Sequence, residues 1–118
     1  MTLNEYQEAT EETANYPTMY IKEGEDFIPV PWIYPALGLG GEAGEVLEKL
    51  KKLIRDSNGK VSPQMRNSIA FELGDVLWYI ARIAKHFGLT LDVVAQINVF
   101  KLKDRKSRNK ISGSGDER

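Results

Sequence analysis

The 118-residue sequence contains no cysteine and a single histidine, His86. Without cysteine the chain can form neither disulfides nor cysteine-based zinc sites, and it has no thiolate for catalysis. One imidazole is too few for a histidine-rich metal centre. A di-iron carboxylate bundle needs Glu-x-x-His pairs, and neither Glu nor Asp stands three residues before His86. Carboxylates are left as the candidate metal ligands.

Long hydrophobic runs are missing as well. The apolar stretches are interrupted well before the roughly 20 residues that a membrane span needs. The first ten residues lack the basic start and apolar core of a signal peptide. Hydrophobic residues make up 42% of the chain and charged residues 28%, a balance typical of one small globular domain. The sequence therefore predicts a cytoplasmic protein with no membrane partner.

Charge is distributed unevenly, although the net charge is only -1. Residues 1–30 carry seven acids and one base, whereas residues 101–118 carry seven bases and three acids. A basic end on an otherwise acidic chain favours a phosphate-bearing ligand over a nucleic-acid groove, so no nucleic-acid partner is expected. The alternative, nucleic-acid binding through the basic end, predicts binding that weakens steeply with salt and is lost without residues 101–118.

Capping signals and hydrophobic periodicity predict an all-α fold, a four-helix bundle-like arrangement with no competing strand pattern. Thr2 and Glu5 form a capping box, and Ser62-Pro63 and Thr90 are further helix starts. The expected helices span about residues 3–15, 35–56, 63–87 and 90–106. The inner side of the fourth helix is expected to carry Val93, Val94, Ile97 and Phe100.

Two segments fall outside these helices. Residues 16–35 contain four of the five prolines and are predicted to form an irregular, functional connection. The polar tail, residues 107–118, is predicted to be flexible unless a ligand or partner orders it, which leaves residues 1–106 as the folded domain. Four helices from so short a chain bury little core, so we expect a homo-oligomer, either a homodimer or a homotetramer.

The most informative feature is an internal echo on the second and third helices. Glu42-Ala-Gly-Glu45-Val-Leu and Glu72-Leu-Gly-Asp75-Val-Leu both read E-x-G-[E/D]-V-L, thirty residues apart. Acids at i and i+3 share a helix face and repel, and an internal glycine costs roughly 1 kcal/mol relative to alanine. Both penalties occurring twice in the most apolar helices indicate a functional site.

A divalent cation would relieve this repulsion. If the two helices pack antiparallel, the four acids converge, with the internal glycines permitting close approach. Mg²⁺ prefers carboxylate oxygens and pairs with substrate phosphates, and Mn²⁺ is a candidate substitute. Lys49 and Lys52 follow the acids on the second helix. The alternative interpretation of any single acid pair is a solvated helix face, but the duplication argues against it.

At these residues the sequence resembles the MazG-like family of all-α nucleoside triphosphate pyrophosphohydrolases, whose pattern is E-x-x-E followed by E-x-x-D. The agreement extends beyond the acids to the residues around them and to two further stretches. The agreeing residues are Tyr34-Pro-Ala-Leu-Gly-Leu-Gly-Gly-Glu-Ala-Gly-Glu-Val46, Lys51-Lys52 with Arg55-Asp56, Glu72-Leu-Gly-Asp-Val-Leu-Trp-Tyr79 and Asn98-x-x-Lys101-Leu-x-x-Arg105. The ending Gly113-Ser-Gly-Asp-Glu-Arg118 resembles a tail of short, often phage-encoded members. The segment 16–35 departs from the family pattern by being longer and more aromatic.

The resemblance implies Mg²⁺-dependent hydrolysis of an NTP or dNTP between the α- and β-phosphates. It implies that Glu42, Glu45, Glu72 and Asp75 hold the metal, and Glu45 is the candidate general base. The candidate phosphate- and nucleotide-binding residues are Lys101 and Arg105, followed by Lys49, Lys52, Arg55 and Asn98. Trp32 and Tyr34 are the candidate base contacts, whereas Trp78 and Tyr79 are expected in the core or a subunit interface.

Two alternatives to a general nucleotide pyrophosphohydrolase stay open. One is a base-specific relative, such as a dUTP or dCTP pyrophosphatase or a phosphoribosyl-ATP pyrophosphatase, with the same acids. The other is a non-catalytic, oligomeric helical adaptor that retains a metal site, in which substituting the acids changes metal affinity alone.

Overall fold

Four α-helices and one β-hairpin make up the computed structural model, which describes residues 1–118. A short 3₁₀ turn, Thr10–Thr13, follows the first helix. The elements are α1 (Leu3–Ala9), β1 (Met19–Glu23), β2 (Asp26–Val30), α2 (Ile33–Ser57), α3 (Pro63–His86) and α4 (Leu91–Ser107). The predicted four helices are confirmed. None of them is long and apolar enough to traverse a lipid bilayer.

Helix α1 begins as expected but ends six residues early. The capping box is present, because Thr2 accepts from the Glu5 amide and Glu5 accepts from the Thr2 amide. At the other end, the Thr10 hydroxyl donates to the Gln7 carbonyl, and the chain tightens into the 3₁₀ turn. Threonine hydroxyls compete for backbone groups in this way, and periodicity alone does not reveal it.

The expectation of an irregular connection without strands was wrong for residues 19–30. Strands β1 and β2 pair antiparallel, with Ile21 opposite Ile28 and Tyr20 opposite Pro29. Gly24 has φ +61°, the left-handed conformation that two-residue hairpin turns require. Pro29 is tolerated because a two-stranded sheet consists of edge strands. The proline content concealed the hairpin from sequence reasoning.

The α2–α3 pair is the main packing unit of the chain. Ser62 caps α3 by accepting from the Met65 amide, with Pro63 at the first helical position as predicted. Near its start, α2 touches α3 at Gly38, where an added Cβ would overlap the ring of Tyr79. In contrast, a Cβ at Gly44 or Gly74 would meet no atom within 4 Å. The expectation that these two glycines permit close helix approach was therefore wrong.

A small core joins the N-terminal segment to the end of α3 and the start of α4. Ala81, Ala84 and Leu91 form its apolar centre. Gln7 is buried beside them; its amide donates to the carbonyls of Ala81 and Leu89, and its side-chain oxygen accepts from the Leu91 amide. These bonds link α1 to α3, to the connection after it and to the first amide of α4, so a polar residue holds this core together.

Helix α4 extends away from this core. Its expected inner residues Ile97 and Phe100 are 60% and 80% exposed, so the prediction that they face inward was wrong within one chain. The radius of gyration is 18.0 Å, against about 13 to 14 Å expected for a compact domain of this length. Only ten of the 118 residues are buried. The single chain is elongated and leaves much apolar surface uncovered.

The C-terminal tail folds back along α4. Positive φ angles at Gly113 and Gly115 reverse the chain direction. The Arg118 guanidinium donates to the carbonyls of Lys110 and Ile111, and Arg108 donates to the Arg118 carbonyl oxygen. The segment predicted to be flexible thus has defined contacts in the structure.

Candidate active site

Three carboxylates converge from α2 and α3. Oxygen atoms of Glu42, Glu72 and Asp75 all lie within 4.8 Å of one another. Glu42 and Glu72 are half-buried and Asp75 is exposed. Burial raises the pKa of Glu42, and the negative charges of Asp75, Glu72 and Glu45 raise it further. The arrangement concentrates negative charge and oxygen ligands in one place, as a hard cation requires.

Glu45, the fourth predicted acid, lies outside this group of three. It is one turn further along α2 and is exposed. Its charge still reaches Glu42, because it contributes to the raised pKa of that carboxyl group. The structure therefore brings three of the four predicted ligands together and leaves Glu45 at their edge.

Of the three predicted basic residues on α2, only Lys49 pairs with an acid of the cluster. Its Nζ lies 3.6 Å from Oε1 of Glu72. Lys52 is exposed. The Arg55 guanidinium binds the carboxylate of Asp56 through two hydrogen bonds of 2.7 and 2.9 Å. The ammonium group of Lys49 therefore neutralises only part of the negative charge of the three acids.

An open cavity of about 320 Å³ lies directly beside the acids, and aromatic rings line it. Indole Nε1 of Trp78 donates to the Thr13 hydroxyl at 2.9 Å, which fixes the ring. Trp78 and Tyr79 contact each other edge to face at 5.0 Å. Sequence reasoning assigned both aromatics to the core or an interface. Their position one helical turn after Asp75 could have indicated that they lie on the same side of α3 as the acids. The cavity is lined by Thr13, Glu42, Asp75, Trp78 and Tyr79.

The two predicted base contacts occupy different places. Tyr34 stacks on Tyr16 with ring centroids 5.5 Å apart, and Tyr16 meets the edge of Trp78 at 6.0 Å. Tyr34 is thereby linked to the aromatic wall of the cavity. Trp32 instead packs on Phe87 at 5.3 Å, near the end of α3. Tyr16 and Tyr34 also bracket the β-hairpin, so their stacking fixes its base near the site.

A polar network behind the aromatic wall fixes Tyr16. Arg82, 4% exposed, donates to the hydroxyls of Tyr16 and Thr10 and forms an ion pair with Glu11. The Tyr16 hydroxyl is also hydrogen-bonded to Nε2 of His86. Burial lowers the pKa of His86, and the Arg82 charge lowers it further. The lowered pKa favours the neutral form of His86, in which Nε2 can accept from the Tyr16 hydroxyl while that hydroxyl accepts from Arg82.

The predicted phosphate-binding residues on α4 make no hydrogen bond or ion pair with the acid cluster. Lys101 and Arg105 are bound to Asp116 of the tail. Asn98, one turn earlier, is exposed. Within one chain, no ion pair links Lys101 or Arg105 to the acid cluster. The acids on α2 and α3 and the basic pair on α4 are thus two groups with no ion pair between them in one chain.

Comparison with known proteins agrees with the acid pattern and the helical fold. The model of the MazG nucleotide pyrophosphohydrolase domain matches residues 36–109, more than half of the chain. The chain belongs to the MazG family. The matched range contains all four acids, Lys101 and Arg105, whereas the β-hairpin and the tail beyond residue 109 lie outside it.

One relative matches this MazG chain along its whole length. "Gene 37 protein" of Mycobacterium phage L5 is 40% identical over 118 residues, which covers 100% of both chains. The hairpin and the tail, which lie outside the family match, therefore fall within the alignment to this phage protein. No solved structure matches the chain.

Proposed function

We propose that the protein is a Mg²⁺-dependent nucleotide pyrophosphohydrolase. It cleaves an NTP or dNTP between the α- and β-phosphates to give the nucleoside monophosphate and pyrophosphate. Membership of the MazG family supports the reaction class. The observation that carries the proposal is the convergence of Glu42, Glu72 and Asp75 beside an aromatic-lined cavity.

The three converging acids fit a divalent metal. Their oxygens are close enough to bind one ion. Burial raises the pKa of Glu42, and the like charges around it, which a cation would neutralise, raise it further. Lys49 balances Glu72 without reaching all three. We assign Mg²⁺ to this position, with Mn²⁺ as a substitute. Bound metal lowers the pKa of a coordinated water and offsets charge on the phosphate oxygens.

Glu45 is the proposed general base. It lies beside the three ligands yet outside their group, and its exposed carboxylate can accept a proton from the attacking water. The water oxygen bonds to phosphorus, the α–β anhydride bond breaks, and pyrophosphate leaves. Glu42, Glu72 and Asp75 fix the geometry of this step from two helices joined at Gly38 and Tyr79.

The substrate is positioned by aromatic and basic side chains. Trp78 and Tyr79 offer ring surfaces beside the acids, and Tyr34 extends the aromatic group through Tyr16. Lys49 is the nearest base for a phosphate oxygen. Lys101 and Arg105 are the proposed pyrophosphate contacts, and we propose that a second copy brings a basic α4 close to the acid cluster.

A homodimer or homotetramer is therefore part of the proposal. Leu47 and Phe71 are 66% and 75% exposed on the main helical pair, and Phe100 is more exposed still on α4. Isolated chains rarely leave so many large apolar side chains in water. A second copy would cover these surfaces and complete the core that one chain leaves small.

Phosphorus NMR of the purified protein with each common dNTP tests this function. Monophosphate and pyrophosphate should form with Mg²⁺ and not with EDTA. Diphosphate and orthophosphate would contradict the assigned bond. Absence of turnover with every common nucleotide would favour the non-catalytic adaptor. The ranking of the four bases would also identify a base-specific relative.

The role of Glu45 is tested with a matched pair on the same helix. Glu45→Gln should lower kcat by about 100-fold or more while metal binding persists, since general base catalysis contributes roughly this factor. The control is Glu48→Gln, because Glu48 pairs with Lys51 outside the cluster. Equal activity of both variants would exclude Glu45 as the base.

A further inference from the structure

The end of α4 carries a basic pair whose present partner is the protein's own tail. Oδ1 of Asp116 lies 3.0 Å from Nζ of Lys101 and 3.2 Å from Nη2 of Arg105. The same Nη2 also donates to the carbonyl oxygens of Gly115 and Asp116. One carboxylate oxygen therefore bridges two cations, which is the position that an oxygen of a phosphate group would take.

Arg105 is incompletely satisfied in this state. Its side chain is 5% exposed, and its Nε is buried without any hydrogen-bond partner. Three acceptors crowd on Nη2 while Nε, on the same edge of the guanidinium, has none. That edge binds an oxyanion through two parallel hydrogen bonds. Asp116 contacts only the Nη2 half of this edge. The buried Nε is left without a partner, which disfavours the conformation in which the tail lies on α4.

The carboxylate that occupies this position is open to solvent. The Asp116 side chain is 82% exposed, although both cations lower its pKa through hydrogen bonds. Solvent therefore reaches the carboxylate side of this pair, where a second anion can approach and compete with Asp116 for the two cations. Gly115 at φ +84° brings Asp116 back onto α4, and rotation there would move the tail away from the helix.

The geometry points to an oxyanion site formed by Lys101 and Arg105 that Asp116 occupies until a phosphate group displaces it. Displacement exposes the Nε and Nη2 edge of Arg105 together with Lys101, and the ligand class is a phosphate or diphosphate anion. This inference rests on the proposed function in assigning Lys101 and Arg105 to phosphate. It adds that the tail competes with substrate and product for them.

Calorimetric titration with inorganic pyrophosphate in EDTA tests the competition without the metal site. Asp116→Asn retains the side-chain shape and the backbone carbonyls but removes the competing charge. It should bind pyrophosphate about twofold to tenfold more tightly than the wild type. The control, Glu117→Gln, should match the wild type, since Glu117 makes no ion pair. Equal or weaker binding by Asp116→Asn would overturn the inference.

A second measurement follows the tail directly. The chain has no cysteine, so Ser114→Cys accepts a single spin label. The label should broaden the amide signals of Lys101 and Arg105, and saturating pyrophosphate should restore them. Chloride at matched ionic strength should not. Signals that stay broadened with pyrophosphate, or recover equally with chloride, would contradict displacement by phosphate.

These readouts separate the inference from the proposed function. Pyrophosphate binding and tail release are measured in EDTA, where no hydrolysis is expected. If the tail is not displaced while Mg²⁺-dependent cleavage proceeds, the inference fails and the enzyme assignment stands. If the tail is displaced while no nucleotide is cleaved, the oxyanion site stands and the enzyme assignment fails.

Discussion

Gly38 on α2 lies directly against the ring of Tyr79 on α3, and this contact sets the separation of the two helices beside the acid cluster. Tyr79 also lines the cavity with Glu42 and Asp75. Burial raises the pKa of its hydroxyl. The same ring thus packs against a glycine and forms a wall of the candidate active site.

Gly38→Ala should destabilise the protein by about 1–3 kcal/mol, because the new methyl group overlaps the Tyr79 ring and forces the helices apart. The matched control is Gly40→Ala, two residues along the same helix, where a Cβ meets nothing within 4 Å. That change should stabilise by up to about 1 kcal/mol through helix propensity. Urea unfolding measures both, and equal effects would exclude a close contact at Gly38.

Mg²⁺ should stabilise the wild-type protein and leave Glu42→Gln almost unaffected. A metal ion that binds only the folded state adds about 2.7 kcal/mol of stability when its concentration is 100 times Kd. Glu42→Gln removes one of the three carboxylates that would hold the ion, beside Glu72 and Asp75. Thermal unfolding with and without Mg²⁺ provides the measurement. Glu48→Gln should respond like the wild type. A shift that is the same in all three proteins would place the metal elsewhere.

Stability should fall as the pH drops from about 7.5 to about 5.5, more steeply in the wild type than in His86→Gln. The folded-state pKa of His86 is lowered, so the unfolded chain binds the proton more readily. Stability is lost as the pH falls through the unfolded value near 6.5 towards the lower folded value. His86 is the only histidine, so an NMR titration reports its pKa directly. A pKa at or above 6.5 would refute the prediction.

Arg82→Met should cost about 2–4 kcal/mol, because it removes a buried charge that holds Thr10, Glu11 and Tyr16. Lys85→Met, an exposed base one turn later on the same helix, should change stability by less than about 0.5 kcal/mol. Denaturant unfolding compares them. Similar losses would show that hydrophobic contacts, and not the network, hold the N-terminal segment.

The helices were predictable because their signals are local. Thr2, Ser62 and Thr90 each cap a helix through bonds to residues three positions away, and Asn58 ends α2 in a left-handed conformation. Periodicity on either side of such signals identifies a helix without tertiary information. The β-hairpin was missed because its strands lack regular alternation and contain Pro29. The two strands can be recognised only from their pairing with each other in the structure.

The acids of the site were predictable, but the surroundings were not. Repetition of E-x-G-[E/D] identified the cluster, and the structure brings Glu42, Glu72 and Asp75 together. The glycine that matters for packing is Gly38, outside that motif. Whether a helical glycine faces a neighbour depends on helix orientation, which periodicity leaves open. The same applies to Trp78, whose place in the cavity depends on Thr13, 65 residues away.

The two halves of the acid cluster lie on consecutive helices joined by the short segment 58–62. In kinetic terms this is a local arrangement, and proteins dominated by local contacts fold fast. The longest chain closures belong instead to α1. Gln7 reaches carbonyls 74 and 82 residues away, and Asn4 accepts a hydrogen bond from the amide of Asp92, 88 residues away. Closing such long loops is the entropically costly step. We therefore expect the α2–α3 unit that carries the acids to form early in folding and the N-terminal segment to dock after it.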